Sequence, residues 1–176
     1  MKIYVLTNGI RELHPSYKQI DYILYIDKTN NPHKCYIDLL DIARKSNDDV
    51  LILEDDLILC KDFKTKIEPI LKQYNNYIIN FFWEPLRNIQ HTTIEKKGFC
   101  YTQCVYYPKE FINKFYNDLQ EPCFSYARNI KQALEKNNLY FVNVRPHYVQ
   151  HIGDKSLIWE GLCVRKSKMF IDDTCK

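Results

Sequence analysis

The chain has 176 residues, enough for a sizeable core, and we predict a single domain over residues 1–176. Its 45% hydrophobic and 27% charged residues are typical of a globular protein, and its net charge of +3 is far below the polycationic balance of most nucleic-acid-binding proteins. No apolar stretch reaches the ~18 residues of a membrane span, so we expect none. Its seven cysteines lack metal-like spacing, and we expect reduced thiols in a cytoplasmic protein, bacterial or, for a viral chain, in the host.

Predicted strands and helices alternate in the first half of the chain and are mixed in the second. Apolar runs predict strands over residues 2–6, 21–26, from 50 onward, 77–83, 99–107 and 139–144, with a further apolar segment at 149–153, and helical spacing predicts helices over residues 33–46, 63–74, 108–119 and 125–136. Strands that alternate with helices usually form parallel sheets. We therefore predict an α/β sandwich with a mixed, mostly parallel central sheet.

The acidic strand at residues 50–57 is the most informative segment, because the apolar run Val-Leu-Ile-Leu ends in Glu54, Asp55 and Asp56. Such a run predicts a strand buried on both faces of a parallel sheet. Ligands of open α/β sheets bind at the carboxyl ends of strands, where these carboxylates would lie. A divalent metal with a phosphate-bearing ligand is their simplest partner. The alternative is a solvated turn, although the triplet lacks Gly, Pro and Asn.

A second candidate segment, His-Ile-Gly-Asp-Lys-Ser at residues 151–156, follows the last apolar segment. Its glycine allows close backbone approach to a ligand, and Lys155 and Ser156 are able to donate to phosphate oxygens. His151 is a candidate metal ligand or phosphate donor. Taken alone, the segment also fits an ordinary strand exit with an exposed lysine. Its significance therefore depends on the acidic strand about 95 residues earlier.

Together the two motifs resemble those of the GT-A glycosyltransferases, which transfer a sugar from a nucleotide-sugar donor. The similarity is to small members with a DXD-like hydrophobic-Leu-Glu-Asp-Asp-Leu cluster and a late Gln-His-Ile-Gly-x-x-Ser, such as N-acetylglucosaminyltransferases and lipooligosaccharide glycosyltransferases. The resemblance implies one Rossmann-like GT-A domain, in which residues 1–60 bind the nucleotide sugar and residues 61–176 supply the acceptor half and a C-terminal metal and phosphate segment. It also implies Mn²⁺ or Mg²⁺ as cofactor and a nucleotide-diphosphate sugar as donor, with a UDP-sugar as the first expectation.

The resemblance assigns roles to matching residues. Asp56 would bind the metal that bridges the diphosphate, Asp55 would hold a sugar hydroxyl, and Glu54 would hold the ribose. His151 would be the second metal ligand or would touch the diphosphate. Lys155 and Ser156 would contact phosphate oxygens. The nucleotide is expected near the ends of the first two strands and the helix that follows them, at Thr7, Asn8, Arg11, Asp27 and Lys34. Arg11 and Lys34 also fit ordinary surface charges.

The sequence departs from the family pattern where a general base is needed. Relatives of this type often place an acid at the start of the helix before the last strand, but residues 124–129, Phe-Ser-Tyr-Ala-Arg-Asn, contain none. Glu84 and Glu121 are the candidate bases, and Glu84 fits a plain loop carboxylate equally well. The stereochemistry of transfer therefore stays open.

Three functions are compatible with these motifs. The first is a glycosyltransferase that acts on a hydroxyl of a glycan, a lipid-linked saccharide or a hydroxymethylated base of viral DNA. The second is a nucleotide-sugar-binding protein without transferase activity, which the missing acid favours. The third is a metal-dependent phosphohydrolase or nucleotidyltransferase, which would require a second acidic cluster beyond the triplet.

Overall fold

The computed structural model describes residues 1–29, 31–83, 90–120, 125–153, 167 and 169–171. In chain order its elements are β1 (Lys2–Thr7), a 3₁₀ helix (Pro15–Gln19), β2 (Ile23–Ile26), α1 (Pro32–Ser46), β3 (Val50–Glu54), β4 (Leu57–Leu59), α2 (Phe63–Gln73), β5 (Ile78–Asn80), β6 (Thr93–Glu95), β7 (Cys104–Tyr107), α3 (Lys109–Leu119), α4 (Tyr126–Lys136), β8 (Phe141–Asn143) and β9 (Val149–His151). None of the helices in these ranges combines the length and the apolar character that crossing a membrane requires.

Seven of the described strands form one sheet, in the order β2-β1-β3-β7-β5-β8-β6. β1 pairs in parallel with β2 and β3, and β5 pairs in parallel with β8. β7 lies antiparallel between β3 and β5, and β6 is antiparallel to β8 at one edge. The other five strands therefore run in the same direction. This confirms the predicted α/β architecture with a mixed, mostly parallel sheet.

Two apolar cores cover the two faces of this sheet. The first includes residues of α1, α3 and α4, and the second includes residues of α2 and the 3₁₀ helix. β3 contributes Val50 and Ile52 to the first core and Leu51 and Leu53 to the second, and all four side chains are fully buried. Since side chains alternate across a strand, this is the burial on both faces that the continuous apolar run predicted.

The four helices match their predicted bounds to within one residue, but two strands are much shorter than predicted. The runs at 77–83 and 99–107 contribute only β5 and β7. The Asn80 side-chain amide donates to the carbonyls of Cys100 and Tyr101, at 2.8 and 3.2 Å, and Tyr101 has a φ of 66°. A side-chain amide thus replaces strand pairing here, and a left-handed residue interrupts the extended backbone.

A separate two-stranded antiparallel sheet, β4 with β9, was not predicted from the sequence. Its register places Leu57 opposite His151 and Leu59 opposite Val149. β4 begins directly after the acidic triplet, so this pairing carries the end of β9 to the end of β3. The 3₁₀ helix and β6 also lacked predicted counterparts, because both are only three to five residues long.

Candidate functional site

The acidic strand ends beside β1, and their parallel register explains the first contact of the site. Leu6 of β1 is level with Glu54 of β3, so Thr7 and Asp55 lie one residue further along the same edge. The Thr7 hydroxyl donates to Asp55 Oδ2 at 2.5 Å. Asp55 and Asp56 are both buried, at 6% and 8% exposure. Two adjacent carboxylates at this depth require compensation by donors or positive charge.

Arg11 supplies part of that compensation from the loop after β1. Its Nη1 lies 2.7 Å from Asp56 Oδ2 and 3.4 Å from Asp55 Oδ1, so one guanidinium nitrogen bridges both carboxylates. The arginine side chain is 26% exposed and is therefore partly accessible to solvent. We call Asp55, Asp56, Arg11 and His151 the acidic corner.

His151 completes the acidic corner through the β4–β9 pairing. Its Nε2 lies 3.2 Å from Asp56 Oδ2, and the Ile152 amide donates to the Asp56 carbonyl at 2.8 Å. The structure therefore brings together the two sequence motifs that lie about 95 residues apart. Asp56 Oδ2 is shared by an imidazole and a guanidinium.

Gly153 lies against the same carboxylate. A Cβ at this position would stand 2.5 Å from Asp56 Oδ2 and 3.1 Å from both Cε1 and Nε2 of His151. Sequence reasoning assigned this glycine to the close approach of a ligand. In the structure the close approach is to the protein's own aspartate and histidine, and only a residue without a Cβ fits.

Burial and neighbouring charges act differently on the two aspartates. Burial alone would raise the pKa of Asp56, but the hydrogen bond and charge of His151, together with the charge of Arg11, hold that pKa below its ordinary value. Burial raises the pKa of Asp55, the charge of Asp56 adds to the rise, and Thr7 and Arg11 oppose it. Asp56 is therefore the carboxylate that more readily keeps its negative charge, and the better candidate ligand for a cation.

Glu54, the last residue of β3, makes its side-chain hydrogen bonds to residues outside the acidic corner. Its Oε1 accepts from Tyr126 at 3.0 Å and from Thr102 at 3.2 Å. Burial, with the charge of Asp56, raises its pKa to about 7. Its backbone carbonyl accepts a short hydrogen bond from the Tyr17 hydroxyl. Sequence reasoning missed Tyr17, Thr102 and Tyr126, whose side chains carried no motif.

The other predicted nucleotide-binding residues lie at or near the ends of β1 and β2. Asn8 accepts from the Ile10 amide at 3.1 Å in the turn after β1. The Asp27 amide donates to the Thr7 carbonyl at 2.7 Å, so Asp27 lies beside the end of β1. Lys34 is exposed in the first turn of α1. Within the described residues, neither Asn8 nor Lys34 contacts the acidic corner.

Four of the predicted site residues fall outside the part of the chain that the structure describes. They are the candidate bases, Glu84 and Glu121, and the candidate hydrogen-bond donors to phosphate, Lys155 and Ser156. Their assignments remain predictions from the sequence.

The acidic corner offers only a few ligands for a divalent cation among the described residues, but they are of a suitable type. Asp56 Oδ1 and His151 Nδ1 are buried and have no hydrogen-bond partner among the described residues. The same part of the chain contains no group of three or more His, Cys, Asp or Glu residues arranged to hold a metal. Mg²⁺ is commonly held by one or two carboxylates plus substrate phosphates and water. Asp56, with or without His151, fits that type of site.

A second polar group lies at the carboxyl ends of β5 and β8. Asn80 and Asn143 are neighbours in the β5–β8 register, and Arg145 and His147 follow β8. All four are buried. Neither amide atom of Asn143 has a hydrogen-bond partner in the described ranges. We call these four residues the amide corner.

His147 links the amide corner to two other segments. Its Nε2 accepts from the Trp83 amide at 3.3 Å, and its Nδ1 lies 2.5 Å from Ser167 Oγ. Burial, and secondly the charge of Arg145, lowers its pKa to about 3. Sequence reasoning missed this group, although a period-2 pattern signals it: polar Asn143, Arg145 and His147 alternate with Val142, Val144 and Pro146.

Comparisons with known proteins inform the fold alone. No protein-family model matches the chain, and no curated protein matches it. Among solved structures it is similar to the crystal structure of A197 from STIV, with 11% sequence identity and a TM-score of 0.56. The match covers 88% of this chain and 87% of that one. This similarity supports the α/β architecture and its mixed central sheet.

Proposed function

We propose that the chain is a metal-dependent glycosyltransferase of the GT-A type, which moves a sugar from a nucleotide-diphosphate donor to a hydroxyl acceptor. The observation that carries the proposal is the acidic corner, where the acidic strand and the late histidine segment meet at Asp56. The corner lies at the carboxyl end of parallel strands, the usual ligand position in open α/β sheets. The donor we favour is a UDP-sugar.

The roles proposed for the corner follow from its charges. Asp56, buried and with an unpartnered Oδ1, holds Mn²⁺ or Mg²⁺, with His151 as a second ligand or a diphosphate contact. The bound cation supplies Lewis-acid neutralisation of the leaving diphosphate. Asp55 accepts from a sugar hydroxyl, and Arg11 adds positive charge beside the phosphates. Thr7 and Asn8, with Asp27 and Lys34 beyond them, flank the nucleoside.

Three of the proposed contacts depend on segments that the structure does not describe. Lys155 and Ser156 donate to phosphate oxygens, and Glu84 or Glu121 accepts the proton of the acceptor hydroxyl. The acceptor class is a glycan, a lipid-linked saccharide or a hydroxymethylated DNA base. Glu54 is assigned to the ribose by resemblance, and its hydrogen bonds to Tyr126 and Thr102 would have to be shared or released for that contact.

The location we propose is the cytoplasm. The four described cysteines are all thiols, and three of them are buried. Buried thiols without disulfides are typical of a reducing compartment.

The first experiment is a calorimetric titration of the purified chain with UDP, GDP, CDP and ADP, each with and without Mn²⁺. Micromolar binding of one nucleotide that requires Mn²⁺ would support the donor site and identify the nucleotide of the donor. If none of the four binds under either condition, the glycosyltransferase proposal fails.

A nucleotide-sugar-binding protein without transferase activity is the second candidate. The first turn of α4, the helix before β8, contains no acidic residue. Incubation with a panel of nucleotide sugars separates the two candidates, because a transferase normally hydrolyses its donor slowly without an acceptor. Binding without any turnover would favour the second candidate. Turnover of simple phosphoesters would instead favour the phosphohydrolase alternative.

A further inference from the structure

The acidic corner already contains a cation, and that cation belongs to the protein. Arg11 Nη1 bridges Asp55 and Asp56, at 3.4 and 2.7 Å. A divalent cation on Asp56 would meet this guanidinium at close range. Like charges at a few ångströms repel strongly in a partly buried site. Arg11 and a divalent cation therefore compete for the same carboxylate.

Asp56 also has capacity left for a ligand. The residue is 8% exposed, and its Oδ1 has no hydrogen-bond partner among the described residues. His151, at 7% exposure, likewise has an unpartnered Nδ1. A buried carboxylate with one oxygen that accepts no hydrogen bond is incompletely satisfied. This is independent of the ion pair, and it indicates that the corner is built to take a further positive group.

Arg11 is placed where it is able to move. It lies in the loop between β1 and the 3₁₀ helix, outside every strand and helix of the described chain. The turn before it is closed by the Thr7 hydroxyl, which accepts from the Gly9 amide at 3.0 Å, and by Asn8. Rotation of the Arg11 side chain away from the carboxylates would therefore break no strand pairing of the sheet. A diphosphate bound beside the corner would offer it an alternative anion.

We propose that Arg11 is an exchangeable counter-ion, which neutralises Asp55 and Asp56 in the ligand-free protein and moves to the phosphates when a divalent cation takes Asp56. This inference rests on the proposed cation site. It implies that the protein alone binds Mn²⁺ weakly, because Arg11 must first be displaced. It also implies that the nucleotide diphosphate and the cation bind with positive coupling, since each favours the same displaced arginine.

The test is a titration of the protein with Mn²⁺ in the absence of nucleotide. The electron paramagnetic resonance signal of free Mn²⁺ measures how much of the ion is bound. Arg11→Ala removes the competing charge, and Arg11→Gln removes it while keeping a donor for the acids. Both variants are expected to bind Mn²⁺ about 10-fold more tightly than the wild type, within the usual range of coupling between sites. The matched control is Arg44→Ala, because Arg44 also pairs with an aspartate, Asp41, at 2.7 Å but lies on α1. The control is expected to bind Mn²⁺ as the wild type does.

The outcomes separate this inference from the proposed function. Equal or weaker Mn²⁺ binding by the Arg11 variants, with the nucleotide site intact, would overturn the counter-ion role and leave the glycosyltransferase proposal standing. Absence of Mn²⁺ binding in every variant, with and without nucleotide, would overturn both. If Arg11→Ala fails to fold, as thermal unfolding would show, Arg11→Gln carries the same test.

Discussion

The acidic corner and the amide corner occupy equivalent places on the two halves of the sheet, yet they satisfy their polar groups differently. Both lie at the carboxyl ends of parallel strands, after β3 in one case and after β5 and β8 in the other. The acidic corner pairs opposite charges, with Arg11 and His151 both on Asp56 Oδ2. The amide corner is built mainly from neutral groups, and Asn143 is left without partners among the described residues.

The difference follows from the relative cost of burying charges and amides. An unpaired buried amide costs ~1–3 kcal/mol, which a fold can absorb, whereas an uncompensated buried carboxylate costs much more. The carboxylates of the acidic corner therefore stay buried only because positive or hydrogen-bonding groups pair with them. Another cation is able to replace such a group. Asn80, by contrast, uses its amide to fix the segment before β7. Asn80 thus has a structural role, whereas the charges of the acidic corner are those on which the proposed ligand site depends.

The largest expected effect comes from removing the central charge of the acidic corner. Asp56→Asn keeps the shape of the side chain but gives a cation a neutral oxygen, so Mn²⁺-dependent nucleotide binding should be lost in calorimetry. The control, Asp41→Asn, removes an aspartate paired with Arg44 and Lys45 on α1 and should leave binding unchanged. If a folded Asp56→Asn protein binds nucleotide with unchanged manganese dependence, Asp56 does not bind the metal and the proposal is contradicted.

A pH-dependent stability effect is expected from the amide corner. His147 has a folded pKa of about 3 and an ordinary value of 6.5, so it stays neutral in the folded protein while the unfolded chain takes up a proton. Its contribution to stability is therefore complete above pH 6.5 and is lost as the pH falls toward 3. The loss is about 1.4 kcal/mol per pH unit, or about 3 kcal/mol by pH 4.

His147→Gln provides the measurement for this effect. Glu54, with its pKa raised to about 7, acts in the opposite direction over part of the same range. The informative quantity is therefore the difference in unfolding free energy between wild type and variant, measured in urea from pH 7 to pH 4. That difference should shrink as the pH falls. His91→Gln makes the same substitution at an exposed histidine and is the control for the substitution itself. A constant difference for His147→Gln would mean that the buried imidazole becomes protonated without cost.

The sequence alone predicts much of the fold, since local patterns decide it. The apolar run before Glu54 specified a strand buried on both faces, and the helical spacing placed four helices to within one residue. The contact of Thr7 with Asp55 was not predicted, and it follows from the parallel register of β1 and β3.

The inner arrangement of the site was not predictable, because it depends on contacts between distant segments. The resemblance placed His151 and Asp56 at one metal, but their direct contact depends on the pairing of β4 with β9, two strands of three residues each, which no sequence pattern predicted. Arg11 is one of many basic residues, and only the path of its loop brings it to the carboxylates. The hydrogen bonds of Glu54 to Tyr126 and Thr102 likewise join segments that lie far apart in the sequence.

A medium effect is expected from filling the space beside Asp56. In Gly153→Ala the new methyl group would stand 2.5 Å from an oxygen that Arg11 and His151 hold in place. We expect a loss of about 1–3 kcal/mol in unfolding free energy, as for other overpacked sites, together with weaker nucleotide binding. Gly98→Ala is the comparison, since Gly98 has a φ of 85° but no atom within 4 Å of an added Cβ. It should lose stability through backbone strain and retain binding, so a similar binding loss in both variants would contradict the steric argument.

The smallest expected effect concerns the hydroxyl that holds Asp55. Thr7→Val keeps the shape of a buried side chain but removes its 2.5 Å hydrogen bond to Asp55 Oδ2 and the acceptor of the Gly9 amide. Hydrogen bonds to charged groups contribute ~1.5–3 kcal/mol, and the added methyl group recovers part of this, so we expect a net loss of about 1 kcal/mol by urea unfolding. Thr29→Val removes a hydroxyl that donates to Asp27 at 2.7 Å on the exposed surface, where water replaces the bond, and should cost much less. Equal losses of unfolding free energy in the two variants would mean that burial does not strengthen the Thr7 hydrogen bond. That result would contradict the argument that the buried carboxylates of the acidic corner depend on their partners more than the amides of the amide corner do.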